Sequence, residues 1–321
     1  MLTRSFAFQI LLFLYKIGIM ISGRVSLFVY LEKRRALVEK SLASCIPSAA
    51  TRPETLHQAM RYSLLGGGKR LRPILVLCAA EALGDDSEYV ISNALPAACA
   101  VELLHICSLI HDDLPSMDDD DFRHRKPAAH RVFGEAVALL AGDALLSRAF
   151  GLLAEIDCPK RYPLSVMLNE MTLSVGSRRL IGGQVADLEA IAKNASLDQV
   201  RFIHERKTAE MVRLALRLGA MTANATPVQL DKLTDFGTAL GLAYQVIDDI
   251  LDVTERSERL GKTAGKDVKA GKATYPAVIG IDASKREAAR LTRKALKSLD
   301  SLGEGTYRLR QIAERLLIRH C

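Results

Sequence analysis

Two short runs of aspartate, each attached to a strongly apolar helical segment, constrain this chain more than any other feature. The first is Asp112-Asp113-Leu114-Pro115-Ser116-Met117-Asp118-Asp119-Asp120-Asp121, six carboxylates within ten residues. It follows directly on residues 95–110, which are apolar on most faces, as in a deeply buried helix. The second, Asp248-Asp249-Ile250-Leu251-Asp252, lies inside the apolar pattern of residues 235–253. At helical spacing Asp248 and Asp252 share a face, about 40° apart, with Asp249 beside them. Carboxylates at a helix C-terminus oppose its negative dipole end, and clustered acids on a buried helix repel one another. Both runs therefore call for compensating cations. One acidic run is ordinarily a solvated loop. Two, each rooted in an apolar helix, point to facing carboxylate walls that hold metal ions between them. Hard divalent ions such as Mg2+ take carboxylate and phosphate oxygens together, and the mid-loop glycine of an EF-hand is missing here.

The remaining pattern is helical from Leu31 onward. Segments rich in Ala, Leu, Glu, Lys and Arg alternate with ten prolines that fall at plausible helix starts or turns. Residues 134–153 read as a further buried helix. No sustained two-residue alternation and no Asn-Gly turn occurs, so no sheet is expected. The expectation is an all-α fold, a single large helical bundle over 31–321, preceded by an extension over 1–30.

Charge and cysteine usage narrow the function classes. The chain has 321 residues, 49% of them apolar, and a formal net charge of +7. That composition excludes disordered, collagenous and disulfide-scaffold proteins. The basic excess belongs to the ends: +5 over residues 1–40 and +6 over 285–321, against −4 between them. A nucleic-acid partner is therefore not expected. Six cysteines, without a C-x-x-C pair or histidine clustering, give no zinc or redox signature and suit small buried hydrophobes in a reducing compartment. Residues 6–21 are mostly apolar but interrupted by Gln9 and Lys16, and are shorter than the ~20 residues of a membrane span. They lack a clear small-residue cleavage site and contain few serines. A dispensable extension, organelle targeting and surface anchoring remain open for them, and no later segment is expected to cross a bilayer.

Cations stand near the acids. Gly66-Gly67-Gly68-Lys69-Arg70-Leu71-Arg72-Pro73 places three cations beside glycines without matching a P-loop. Arg123, His124, Arg125 and Lys126 follow the first acidic run, Lys262, Lys266 and Lys272 follow the second, and Lys207-Thr208 lies between. Metal-binding acids with several separate cationic groups suit a substrate set carrying two or more diphosphates.

These segments, together with residues 101–135, 140–146, 182–188, 203–211 and 241–276, resemble the short-chain trans-prenyl diphosphate synthases, in that family's order. The resemblance implies an all-helical, homodimeric, Mg2+-dependent transferase of the isoprenoid synthase type, with its site in a central cavity between two Asp-rich helices. Such an enzyme condenses isopentenyl diphosphate with allylic diphosphates. It implies Asp112, Asp118, Asp248 and Lys207 as the catalytic set. Asp112, Asp113, Asp118 and Asp248 would ligate three Mg2+ ions, with Asp249 and Asp252 in support. Arg123, Lys207, Thr208, Gln245, Lys262 and Lys272 would hold the allylic diphosphate, and Lys69, Arg72 and His105 isopentenyl diphosphate. One departure stands out: the family's Arg-Arg-Gly-Lys-Pro reads Arg123-His124-Arg125-Lys126-Pro127, so a shorter, mostly neutral histidine replaces an arginine implied to contact isopentenyl diphosphate. In the family the residue five positions before the first Asp limits product length. Here it is the small Cys107, which implies a deep cavity and C20 geranylgeranyl diphosphate, with C15 farnesyl diphosphate next and C25 still open. The rival readings are an HD-type phosphohydrolase, which would need more His/Asp ligands; a class I terpene cyclase, whose second metal site differs; and a non-catalytic partner subunit, which tends to lose an Asp-rich motif. The expected location is the cytoplasm, or a plastid or other organelle if residues 1–30 are a targeting segment.

Overall fold

The computed structural model describes residues 26–84, 87–191, 195–254 and 271–318. Helix α1 (Leu27–Ser44) is capped by Ser26 and α2 (Glu54–Leu64) begins after Pro53. The next two helices form the centre. In α3 (Leu71–Leu83) every residue from Pro73 to Ala80 is buried, and α4 (Glu88–Asp112) buries nearly all of its residues from Ala97 to Leu104. Helices apolar on all sides must be enclosed by other elements. Here α3 and α4 pack on each other and on α10 (Glu210–Thr222), while α4 also packs along α6 (Glu135–Leu153). The expected buried helix over 95–110 is thus the second half of α4, and the expectation for 134–153 is met by α6. The third apolar segment, 235–253, is the C-terminal two-thirds of α11 (Pro227–Thr254), which lies against α10 and α13 (Ile281–Ser298). α5 (Ala129–Phe133), α7 (Leu164–Val175), α8 (Leu180–Ala190), α9 (Leu197–His204), α12 (Tyr275–Ile279) and α14 (Tyr307–Ile318) complete the shell.

Four details depart from the sequence expectations. First, Pro96 lies inside α4 rather than at a start or turn; burial of the helix on both sides of it outweighs the lost N–H. Second, a minimal antiparallel ladder joins Phe122–Arg123 to Lys126–Pro127. Its two turn residues, His124 and Arg125, take positive φ (51° and 64°), the geometry that Asn-Gly usually supplies and that no turn signal announced. Third, α1 starts at Leu27, so it crosses the expected boundary between residues 30 and 31. Fourth, α4 and α6 are each long and apolar enough, by composition, to cross a bilayer. In this fold α4 is instead the enclosed core helix.

Arg70 ties the glycine-rich turn to this core. It takes left-handed backbone geometry (φ 50°) at the start of α3, and its side chain is fully buried. It donates to Glu102 of α4 (2.8 Å), to Glu39 of α1 (2.8 Å) and to the Leu64 carbonyl (2.6 Å). Burial pushes the Glu102 carboxyl up, and the Arg70 charge opposes that push. Of the three cations in the turn, Arg70 is therefore structural, which leaves Lys69 and Arg72 for chemistry. Removing one member of a buried pair strands the other charge. Glu102→Gln is expected to lower unfolding free energy by about 3 kcal/mol in urea denaturation, whereas Arg35→Ala, which breaks an exposed pair with Glu32, costs less than about 1 kcal/mol.

Candidate active site

The first acidic wall grows out of the C-terminus of α4. Asp112 ends the helix and Asp113 caps it, its N–H bonding the Leu109 carbonyl at 3.1 Å. The chain then folds back, so that the Asp118 N–H bonds the Asp112 carbonyl (2.9 Å) and the Asp120 N–H bonds that of Asp113 (3.2 Å). Asp112, Asp113 and Asp118 each meet a cation or a donor. Lys207 Nζ lies 3.5 Å from Asp112 Oδ2, and Gln184 Nε2 donates to Asp112 Oδ1. Lys272 Nζ donates to Asp118 Oδ2 at 2.6 Å. Asp113 is buried, which raises its pKa; the guanidinium of Arg123 opposes this by donating to both of its oxygens. This is the compensation that acids at a helix C-terminus require.

The second wall is on α11. Asp248 is half-buried, while Asp249 and Asp252 are 2% exposed. Asp249 accepts from Gln245 Nε2 (2.9 Å) and from the backbone N–H of Tyr275 (3.0 Å). His204 stands 3.6 Å from Asp249, and burial drives its pKa down to about 4, so it faces Asp249 as a neutral ring.

Between the walls lies a single π-helical turn, Glu205–Ala209, inserted between α9 and α10. Such turns recur at functional sites because they offset side chains from the helical register. Two glycines let it sit there. A Cβ on Gly183 of α8 would come 2.6 Å from the Lys207 backbone N, and one on Gly241 of α11 would come 2.5 Å from Ala209 Cα. The turn presents Lys207, which also donates to Asp187 of α8 at 2.7 Å, and Thr208, which donates to Gln245 Oε1 at 2.8 Å. A polar chain therefore runs from Asp112 through the turn to Gln245, Asp249 and Tyr275. Lys272, three residues before Tyr275, returns it to Asp118.

A separate cationic corner lies at the start of α3. Arg72 donates to His105 Nε2 at 3.1 Å; arginine can only donate, so the histidine accepts and is neutral. Burial first, and the Arg72 charge second, hold its pKa well below the ordinary value. Arg72 Nε is buried with no hydrogen-bond partner among the described residues, an orphaned donor that an anion would satisfy. The His124 ring stands next to Gly68, the residue before Lys69, and its pKa is lowered by loss of solvent and then by Arg123, Arg70 and Lys69.

The structure thus brings Asp112, Asp118, Lys207, Thr208, Gln245 and Lys272 into one connected network. Asp248 is at its edge, and Lys69, Arg72 and His105 lie in a different corner. Asp113 faces Arg123 rather than Lys207. Lys262 lies outside the described residues. Sequence reasoning missed Gln184, Asp187 and His204; the signal for the first two was a polar pair three residues apart in α8, whose other polar side chain is Glu189. Cys107 is buried beneath Asp112, its Sγ 3.9 Å from His111 Nδ1. Among the described residues no three His, Cys, Asp or Glu side chains converge as a ready-made cage. The donor set is nevertheless all oxygen, spread over two walls and countered by lysines. That fits a hard divalent ion that takes one or two carboxylates and completes its shell with phosphate oxygens.

Comparison with known proteins places this geometry. Residues 53–306 match the family described as Polyprenyl synthetase. The chain is 45% identical over 276 residues to a chloroplastic geranylgeranyl pyrophosphate synthase of Capsicum annuum, covering 85% of this chain and 73% of that protein. It is 44% identical over 294 residues to a dimethylallyltranstransferase of Fischerella ambigua, covering 90% and 83%. Among solved structures, an FPP/GFPP synthase from Zymomonas mobilis superposes with a TM-score of 0.77 at 30% identity, covering 91% of this chain and 98% of that one. The chain belongs to the polyprenyl synthetase family.

Proposed function

We propose that this transferase condenses isopentenyl diphosphate with allylic diphosphates to make a short-chain all-trans prenyl diphosphate, with C20 geranylgeranyl diphosphate the favoured product. The observation that carries this reading is the division of the site into two anion receptors of different kind. One is lined by carboxylates with lysines between them; the other is cationic and built on Arg72 with its orphaned Nε. Two diphosphates entering such a site are told apart by whether they can share a metal. Asp112, Asp118 and Asp248 would hold Mg2+, with Asp113 in support. When bound, that metal neutralises charge on the allylic diphosphate and so favours its departure.

The chain's own residues do the rest. Lys207, Thr208, Gln245 and Lys272 hold and orient the departing diphosphate, and the two lysines counter its growing charge. Arg123 is carried on the turn beside Asp113, within reach of the same group. Lys69, Arg72 and His105 fix isopentenyl diphosphate so that its double bond attacks the electron-poor allylic carbon. The proton then lost is taken up by the released diphosphate, so no basic side chain is required; the neutral state of His105 and His204 agrees with this. The apolar end of α4 keeps water from the cation.

Product length is read from the base of α4. Cys107 is small, and by the family's pattern it would leave depth below Asp112 that an aromatic side chain would fill. The product named for the Capsicum annuum protein supports C20, and the name of the Zymomonas mobilis structure keeps C15 and C25 in view. Both acidic runs are intact, which weighs against a non-catalytic partner subunit. The chloroplastic location named for the Capsicum annuum relative supports an organellar role for residues 1–30. A homodimer is supported by the apolar residues that α6 and α7 leave outside: Leu139, Leu140, Val166 and Leu173 are 39–56% exposed on packed neighbouring helices.

Three experiments follow. Cys107→Tyr should shorten the main product from C20 to C15 in chromatography of extension products from dimethylallyl, geranyl and farnesyl diphosphates; unchanged length removes Cys107 as the floor. No elongation from any primer by the unaltered enzyme would favour the partner-subunit reading. His124→Arg restores a permanent cation and is expected to lower KM for isopentenyl diphosphate by about tenfold, the worth of one charge-assisted hydrogen bond; KM for the allylic substrate should stay level. Leu139→Glu with Leu140→Glu should convert a dimer to a monomer in sedimentation equilibrium, and a wild-type monomer would refute the dimer outright.

A further inference from the structure

Much of the positive charge at the C-terminal end of the sequence takes no part in the site. Helix α13 carries Lys285, Arg286, Arg290, Arg293, Lys294 and Lys297 against only Asp282 and Glu287. Its inner face is small and apolar, with Ala288, Leu291 and Ala295 buried where α13 packs on α11. The opposite face is therefore fixed toward solvent. Arg286, Arg290, Arg293 and Lys297 recur at intervals of four, three and four residues and are all exposed, which makes one stripe about 60° wide and about 16 Å long. Arg290 is bridged to Glu287 at 2.7 Å. No acid pairs with Arg286, Arg293 or Lys297 among the described residues.

The stripe borders a groove of about 450 Å3, across which stand Leu197, Asp198 and Arg201 at the start of α9. The acids lining the groove are Asp198 and Glu287, and Glu287 is already paired with Arg290, while Arg201 is held by Glu205 at 2.9 Å. Exposed aliphatic side chains lie on the neighbouring elements: Leu197, which lines the groove, is 39% exposed, and Val278, on α12 just before α13, is 36% exposed. Four features select among anionic partners. The stripe is longer than a single phosphate, its guanidinium groups are at the surface rather than in a closed pocket, its charge is renewed each turn, and its exposed apolar neighbours are aliphatic rather than base-stacking aromatics. A basic helical face with apolar neighbours is the composition of an interfacial surface that rests on lipid.

We propose that α13 is a membrane-docking face, on which Arg286, Arg290, Arg293 and Lys297 seat the enzyme peripherally on an anionic bilayer, with Leu197 and Val278 reaching the headgroup boundary. None of these residues belongs to the catalytic network, so docking and turnover are separable.

The test is co-sedimentation of the full chain with phosphatidylcholine vesicles, with and without about 30% phosphatidylglycerol, across a salt series. The comparison is between wild type, Arg286→Gln/Arg293→Gln/Lys297→Gln, and an equally discharged control, Lys40→Gln/Arg52→Gln/Lys160→Gln, at exposed positions elsewhere. Binding is expected only to anionic vesicles, weakening as salt rises. At about fivefold per neutralised cation, the stripe variant should lose about a hundredfold in partitioning, with turnover of soluble substrates unchanged and the control variant binding as wild type does. The proposal is overturned if wild type does not bind anionic vesicles. It is equally overturned if both variants lose binding alike, since net charge alone would then act. Stripe-dependent binding to RNA in place of vesicles would also overturn it.

Discussion

Everything in this fold is arranged around the cost of placing like charges at the ends of buried helices. α4 is enclosed on all sides and yet terminates in Asp112 and Asp113, where its own dipole is already negative. α11 carries Asp249 and Asp252 into the interior. The end of α4 needs donors brought from a distance, and four separate segments bring them: three cations, Arg123 of the 122–127 ladder, Lys207 of the π turn and Lys272 of the segment before α12, and the neutral amide of Gln184 on α8. These contacts span 10 to 154 residues of sequence. The acidic walls therefore act as the points at which distant parts of the chain are registered against one another. Lys207 and Lys272 stand against oxygens of Asp112 and Asp118 that a divalent ion would share.

The close approach of backbones is the second requirement. Lys207 reaches Asp112 because α8 and α11 come within backbone contact of the π turn, and only Gly183 and Gly241 permit that distance. The same device operates in the core, where a Cβ on Gly219 of α10 would lie 2.1 Å from the Val76 carbonyl oxygen of α3. It recurs beneath the first acidic wall. A Cβ on Gly142 of α6 would collide with the His111 ring at 2.2 Å, so that glycine is what lets α4 and α6 close beside Cys107. Charge brings the segments together, and missing side chains let them arrive.

Much of this was legible before any coordinates. The apolar residues marked α6 to within one residue and the C-terminal parts of α4 and α11, whose starts lie seven and eight residues earlier than expected, because burial on many faces leaves an unmistakable composition only where the helix is enclosed. The two aspartate runs marked both walls, since carboxylates after an apolar helix have few structural reasons to be there. What stayed hidden depends on three-dimensional proximity. Arg70 reads as one cation among three, and only the enclosure of its side chain by Glu39, Glu102 and the Leu64 carbonyl separates it from Lys69 and Arg72. The π turn was not read from the sequence, and the room it needs depends on glycines on two other helices. The His124-Arg125 turn escaped because both residues adopt a conformation that their side chains disfavour.

The histidines show how the same surroundings decide between charge and neutrality. His105 is held by Arg72, His124 lies in the field of Arg123, Arg70 and Lys69, and His204 is buried beside Asp249; in all three, loss of solvent leads the downward shift. The cationic corner consequently draws its permanent charge from Lys69 and Arg72, and His105 serves as the acceptor that fixes the direction of the Arg72 guanidinium. His124 occupies a position where it adds shape without charge. A site built to receive two polyanions therefore keeps its charge on lysine and arginine, and uses His105 and His204 as uncharged braces.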